Sequence, residues 1–139
     1  MKVEAARDKF MTNLEVYEYI SEVRERNKAD MEHRGSEHLE TVLIELQSYL
    51  RDRPTGNQES PQTQKNVEAF IRSVHELGIH LEKAEYLQLV NTAPNSRPVL
   101  YNLIEDIEQR LEETQMEQIT NLCKQYLGFE PMPEMPDEE

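Results

Sequence analysis

The sequence predicts an all-α protein of six helices, and three observations predict it. Apolar residues recur at spacings of three and four. Caps and breakers bracket each periodic run. No strand-like alternation or internal repeat is present over any length. The densest apolar run, Leu81 to Leu111, shows the pattern best, as two helices joined at a proline turn.

A chain of 139 residues suits one domain, or one domain with an appended arm. Hydrophobic content of 37% and charged content of 31% indicate a solvated helical protein with a modest core. The formal net charge is −13. Residues 1–53 carry nine Lys/Arg against twelve Asp/Glu, and residues 54–139 carry six against sixteen. Nucleic-acid affinity rests on clustered cations, so the acidic second half is expected to bind neither DNA nor RNA strongly. The near-balanced first half could still border nucleic acid held by a partner. One cysteine, Cys123, allows no internal disulfide and no metal framework. No apolar run approaches the roughly 20 residues of a membrane span, so no membrane contact and a soluble intracellular chain are expected.

Along the chain, residues 1–11 fit neither helical nor strand period, leaving an extended arm or a frayed helix. Thr12-Asn-Leu-Glu15 is a capping-box pattern. The helix after it carries Leu14, Val16, Tyr17, Tyr19, Ile20 and Val23 before dissolving into the polar stretch 24–35. Its apolar band is too wide for a helix covered on one side, which points to a second protein. Ser36 caps a helix striped by Leu39, Val42, Leu43, Leu46 and Leu50. Residues 51–61 read as a linker: Pro, Gly, Asn and charge without apolar content.

Ser60-Pro61 starts the third helix, with Val67, Phe70, Ile71, Val74 and Leu77 as its stripe. Gly78 ends it in a left-handed turn that returns Ile79 to Val74. The fourth helix, about 81–92, is apolar around most of its circumference and should be central. Pro94 forces a turn. Ser96 caps a fifth helix with Leu100, Leu103, Ile104, Ile107 and Leu111 on one stripe. The last helix, about 113–127, buries Met116, Ile119, Cys123, Tyr126 and Leu127. Residues 128–139 contain three prolines and five acids, and read as a disordered acidic tail.

No catalytic or metal constellation is evident. His33 and His38 are five apart and cannot share a helix face. His75 and His80 straddle the Gly78 turn beside Glu76 and Glu82, where solvated histidines are the expectation. Cys123 falls on a buried stripe as a small hydrophobe. Glu105, Asp106, Glu108, Glu112 and Glu113 read as a solvated face, without the alternating loop ligands of calcium sites. Lys83-Ala84-Glu85 reads as a helix start with surface charge. The four scattered glycines form no phosphate loop. No cofactor and no active site are expected.

The set Leu81, Lys83, Ala84, Glu85, Leu87, Gln88, Leu89, Val90, Asn91 and Pro94 resembles the small stalk subunits of archaeal and eukaryotic RNA polymerases. The RNA polymerase III branch, also described as the calcitonin-gene-related-peptide receptor component, is the most similar. Phe10-Met-Thr-Asn-Leu-Glu-Val16 is similar to that branch's Leu-Ser-Asn-Tyr-Glu-Val start. Glu105 to Ile119 resembles its acidic helix junction, although Glu112 stands at the usual Thr cap, which would shift the start of the last helix. The likeness covers residues 1–26 and 66–127.

The resemblance implies an HRDC-like helical domain over 62–127, a linker over 54–61, and an N-terminal arm and helices over 1–53. It implies docking on a larger stalk subunit with an OB fold, through Val3, Ala6, Phe10, Leu14, Val16, Tyr17, Ile20, Leu43, Leu46 and Leu50. The pair would join the polymerase core in the nucleus, contact initiation factors and support promoter opening at tRNA and other small RNA genes. The subunit would have no catalytic residues of its own. HRDC domains elsewhere bind nucleic acid, which the acidic second half here argues against. The alternative is a free-standing acidic helical adaptor in receptor signalling.

Overall fold

Three side-chain oxygens start three of the helices. Thr12 accepts from the Glu15 amide at 3.1 Å, Ser36 from the Leu39 amide at 3.2 Å, and Thr63 from the Asn66 amide at 3.2 Å. Each satisfies a donor that the first helical turn would otherwise leave open. In the computed structural model, which describes residues 2–30, 32, 35–56 and 62–128, the helices that follow are α1 (Asn13–Ala29), α2 (Glu37–Arg51) and α3 (Gln64–Glu76). Then come α4 (Lys83–Thr92), α5 (Arg97–Leu103), α6 (Ile107–Arg110) and α7 (Glu113–Tyr126). The described residues contain no strand, as the sequence predicts.

Three boundaries differ from expectation. α1 runs to Ala29 instead of fading after Val23. Arg24 keeps it helical by pairing with Glu40 of α2 at 2.9 Å and bonding Gln47. Arg26 and Lys28 place positive charge at its C-terminal end. α3 is capped by Thr63; the Ser60-Pro61 start expected from the sequence lies outside the described residues.

The third difference is the expected fifth helix, which is broken into α5 and α6. Ile104 is extended and Asp106 is left-handed (φ 49°), a region that Asp tolerates better than most residues. The corner keeps Leu100, Ile104, Ile107 and Leu111 all buried. Spacing alone could not reveal it, because a straight helix would also align those residues.

The core is built by α3–α7. Phe70, Val74, Leu89, Leu100, Ile119, Cys123 and Leu127 are its most deeply buried side chains, and Ile79 joins them after the Gly78 turn (φ 72°). Val67, Ile71, Leu81, Tyr86, Leu103, Leu122 and Tyr126 pack around them half-buried. Burial pushes the Cys123 thiol up to about 12, since a thiolate is poorly solvated there. A thiol reagent at pH 8 is therefore expected to leave the native protein unmodified and to label it fully in denaturant. Fast labelling of the native protein would show that α7 is loosely packed.

The expected linker starts as structure. Pro54–Gly56 form one 3₁₀ turn with Pro54 and Thr55 buried, and the turn packs on α1, α2 and α4. Gly56 makes this possible. A Cβ there would lie 2.6 Å from the Arg51 Cα and 2.8 Å from the Leu50 carbonyl oxygen, both backbone atoms that cannot yield. Gly56→Ala is expected to destabilise the protein by about 1–3 kcal/mol, the range for forced overpacking. A urea midpoint equal to wild type would count against this tight approach.

Side chains sew α1 to the rest. The Asn13 amide donates to Asn91 Oδ1 at 2.8 Å, and Gln64 Nε2 donates to Glu18 at 2.7 Å. Buried Gln62 donates to the carbonyls of Val90 (2.8 Å) and Leu127 (3.0 Å), joining the ends of α4 and α7. No helix is long and apolar enough to cross a membrane among the described residues.

Candidate partner-docking surface

The apolar residues of the first 53 positions divide into two sets. Leu14, Ile20 and Leu50 are buried, and Val16, Tyr17, Leu43 and Leu46 are half-buried in this chain's own packing. Leu14, Ile20 and Leu50, expected at the partner face, are thus covered within this chain. Val3 and Phe10 are 71% and 75% exposed, and Ala6 is exposed with them. The arm thus keeps its expected residues in solvent.

The surplus of apolar surface lies more on α2 than on α1. Tyr19 is exposed on α1, whereas α2 exposes Leu39, Val42, Ile44 and Tyr49. Val42 and Tyr49 are seven apart and share one side of the helix, beside the Leu43–Leu46–Leu50 stripe that meets α1. The Arg53 guanidinium sits 4.6 Å from the Tyr49 ring centre, and Tyr49 is still 55% exposed. An α2 stripe wider than one neighbouring helix can cover is the pattern of a helix with a second partner. The sequence suggested this excess but assigned it to α1. A helical wheel extended to Tyr49 would have placed it correctly.

The Leu81–Pro94 set plays structural parts. Glu85 is buried, which corrects its reading as surface charge. Its carboxylate accepts from Arg110 through both oxygens, at 2.5 and 2.9 Å, and from the Glu82 amide at 2.8 Å. With Glu82 it forms the capping box that starts α4. The Arg110 hydrogen bonds hold the Glu85 carboxyl below its ordinary range, against the opposing effect of burial. Arg110 also donates to the carbonyls of Glu105 and His80, pinning the α5–α6 corner.

Asn91 holds the start of α1, and Pro94 is buried after left-handed Ala93. Leu81 and Leu87 are half-buried, while Lys83, Ala84 and Gln88 are exposed. Glu112 caps α7 itself, in a capping box with Gln115, so the missing Thr leaves the helix start in place. His75 stacks on Tyr86 at 5.7 Å, and His33 lies outside the described residues. No group of three or more His, Cys, Asp or Glu is placed to hold a metal ion among the described residues.

The family model described as RNA polymerase Rpb4 matches residues 10–127, spanning both the α1–α2 segment and the α3–α7 core. The chain belongs to the Rpb4 family. Among curated proteins it is similar to DNA-directed RNA polymerase III subunit rpc9 of Schizosaccharomyces pombe, at 35% identity over 119 residues. The match covers 81% of this chain and 88% of that protein. The Rpb4 match starts at Phe10 and ends at Leu127, within one residue of where the described fold ends. The tail expected at 128–139 lies outside the described residues from Phe129 onward.

Proposed function

We propose that this Rpb4-family chain is a non-catalytic subunit of nuclear RNA polymerase III. It pairs there with a larger OB-fold stalk subunit and supports initiation at tRNA and other small RNA genes. The observation that carries the pairing is the exposed apolar set on the arm and α2: Val3, Phe10, Leu39, Val42 and Tyr49. Its similarity to the fission-yeast polymerase III subunit supports the choice of polymerase. The arm and α1–α2 dock, and the α3–α7 domain is carried outward, where initiation factors and the polymerase core meet it. Acidity of the second half keeps it from competing for nucleic acid directly.

The test is reconstitution. Co-expressed with the larger stalk subunit, the chain is expected to elute as a one-to-one heterodimer. Val42→Asp with Phe10→Ser is expected to weaken that complex by at least about tenfold, as loss of buried apolar anchors does, while leaving the circular dichroism unchanged. The tagged wild-type chain should also retain the polymerase III core. A chain that stays monomeric beside the larger subunit and recovers no polymerase would overturn the proposal and favour a free-standing adaptor.

A further inference from the structure

An apolar groove of about 420 Å³ lies between α3 and α4. It exists because α3 packs on α7, and α4 on α5 and the 3₁₀ turn, which leaves residues between α3 and α4 uncovered. Val67 and Ile71 line it from α3, and Tyr86, Leu87 and Val90 from α4. His75 stacks on the Tyr86 ring at 5.7 Å and helps hold it in place. The walls are preformed, so an occupant loses little in ordering them.

Two observations indicate the occupant. First, Phe10 also lines the groove and is 75% exposed. It belongs to the arm on which the proposed pairing rests, so a subunit seated on Phe10 already stands at the groove. Second, the rim is acidic. Glu15 and Glu82 lie on it with Lys83. Glu18, one turn farther along α1, accepts from Gln64 at the head of α3, and exposed Glu68 adjoins Val67. Lys65 and Arg72 fall farther round α3, which leaves these four carboxylates against one ammonium beside the groove.

We infer that the groove takes a basic segment of the larger stalk subunit, carrying two apolar side chains about one helical turn apart with Lys or Arg beside them. The inference rests on the pairing proposed above and adds the groove to its footprint. Val67 and Ile71 stand about 6 Å apart along α3, which matches i and i+4 anchors on a docked amphipathic helix. The apolar pair seats between Ile71 and Leu87, and the cations meet Glu15, Glu68 and Glu82. Opposite charge around the apolar seat selects this segment over acidic ones of equal hydrophobicity.

The reconstituted heterodimer tests this. Amide exchange across Val67–Ile71 and Lys83–Val90 should slow by about threefold or more relative to the free chain. A carbodiimide should couple Glu15 or Glu68 to a lysine of the larger subunit. Glu15→Lys with Glu68→Lys should weaken the heterodimer about tenfold at low salt, and the difference from wild type should shrink as salt rises. Ile71→Gln should weaken it at every salt concentration, with circular dichroism unchanged in both variants. Wild-type affinity in both variants, with the groove amides unprotected in the complex, would overturn the inference and leave the pairing standing. Groove protection that requires a third protein would do the same. Wild-type chains that do not pair at all would overturn both readings.

Discussion

Phe70→Ala is expected to lower the unfolding free energy by about 3–5 kcal/mol, the range for removing a fully buried aromatic ring. Phe70 is completely buried on α3, at the meeting of that helix with the Val74, Leu89 and Ile119 cluster. Leu89 and Ile119 come from other helices, α4 and α7, so the vacated space collapses poorly. Domains of this size hold about 5–15 kcal/mol in total. The variant should therefore show a much lower urea midpoint with an unchanged slope, and measurable unfolding at 37 °C. A loss below about 1 kcal/mol would mean that the α3–α7 core is not close-packed.

The second large effect concerns the Glu85–Arg110 pair. Arg110→Ala is expected to cost about 2–3 kcal/mol at pH 7, because it strands a buried carboxylate. The figure sits at or below the low end for buried pairs, since the Arg110 side chain is 32% exposed. Glu85 titrates lower in the folded protein than its ordinary 4.5, chiefly through the Arg110 hydrogen bonds. Stability from that shift is fully present above pH 4.5 and is lost as pH falls through the folded-state value. Wild type should thus lose stability on acidification over that window, and Arg110→Ala should lose less, so the two curves converge toward low pH. Parallel curves down to pH 3 would assign the penalty to lost packing of the arginine stem. Glu85→Gln combined with Arg110→Ala should cost less than the two single changes summed, since no charge is then left stranded.

Most of the architecture was legible because it rests on local rules. Thr12 and Ser36 cap where their sequences say, Gly78 turns left-handed, and Ile79 returns to Val74. Each of those features depends on residues within four or five positions of one another, so a one-dimensional pattern contains it. The α5–α6 corner was not legible, because a broken and an unbroken helix bury the same stripe. Long-range bonds from Arg110 to Glu85 and His80 hold the break. Glu85 itself was misread for the same reason: its partner lies 25 residues away. Excess apolar area on the first two helices was legible in their stripes, yet Leu14, Ile20 and Leu50, which the sequence assigns to a partner face, are buried in this chain.

By itself the sequence determined the helical class, the helix count to within one, the core stripes and the likeness to polymerase stalk subunits. Periodicity and caps are properties of neighbours along the chain, and they suffice for that. Only the tertiary structure decided which apolar residues remain outside, where a buried carboxylate finds its arginine, and how Gly56 lets the 3₁₀ turn pass against α2. Those outcomes depend on which faces meet in space, and residues far apart in the chain carry no local mark of meeting.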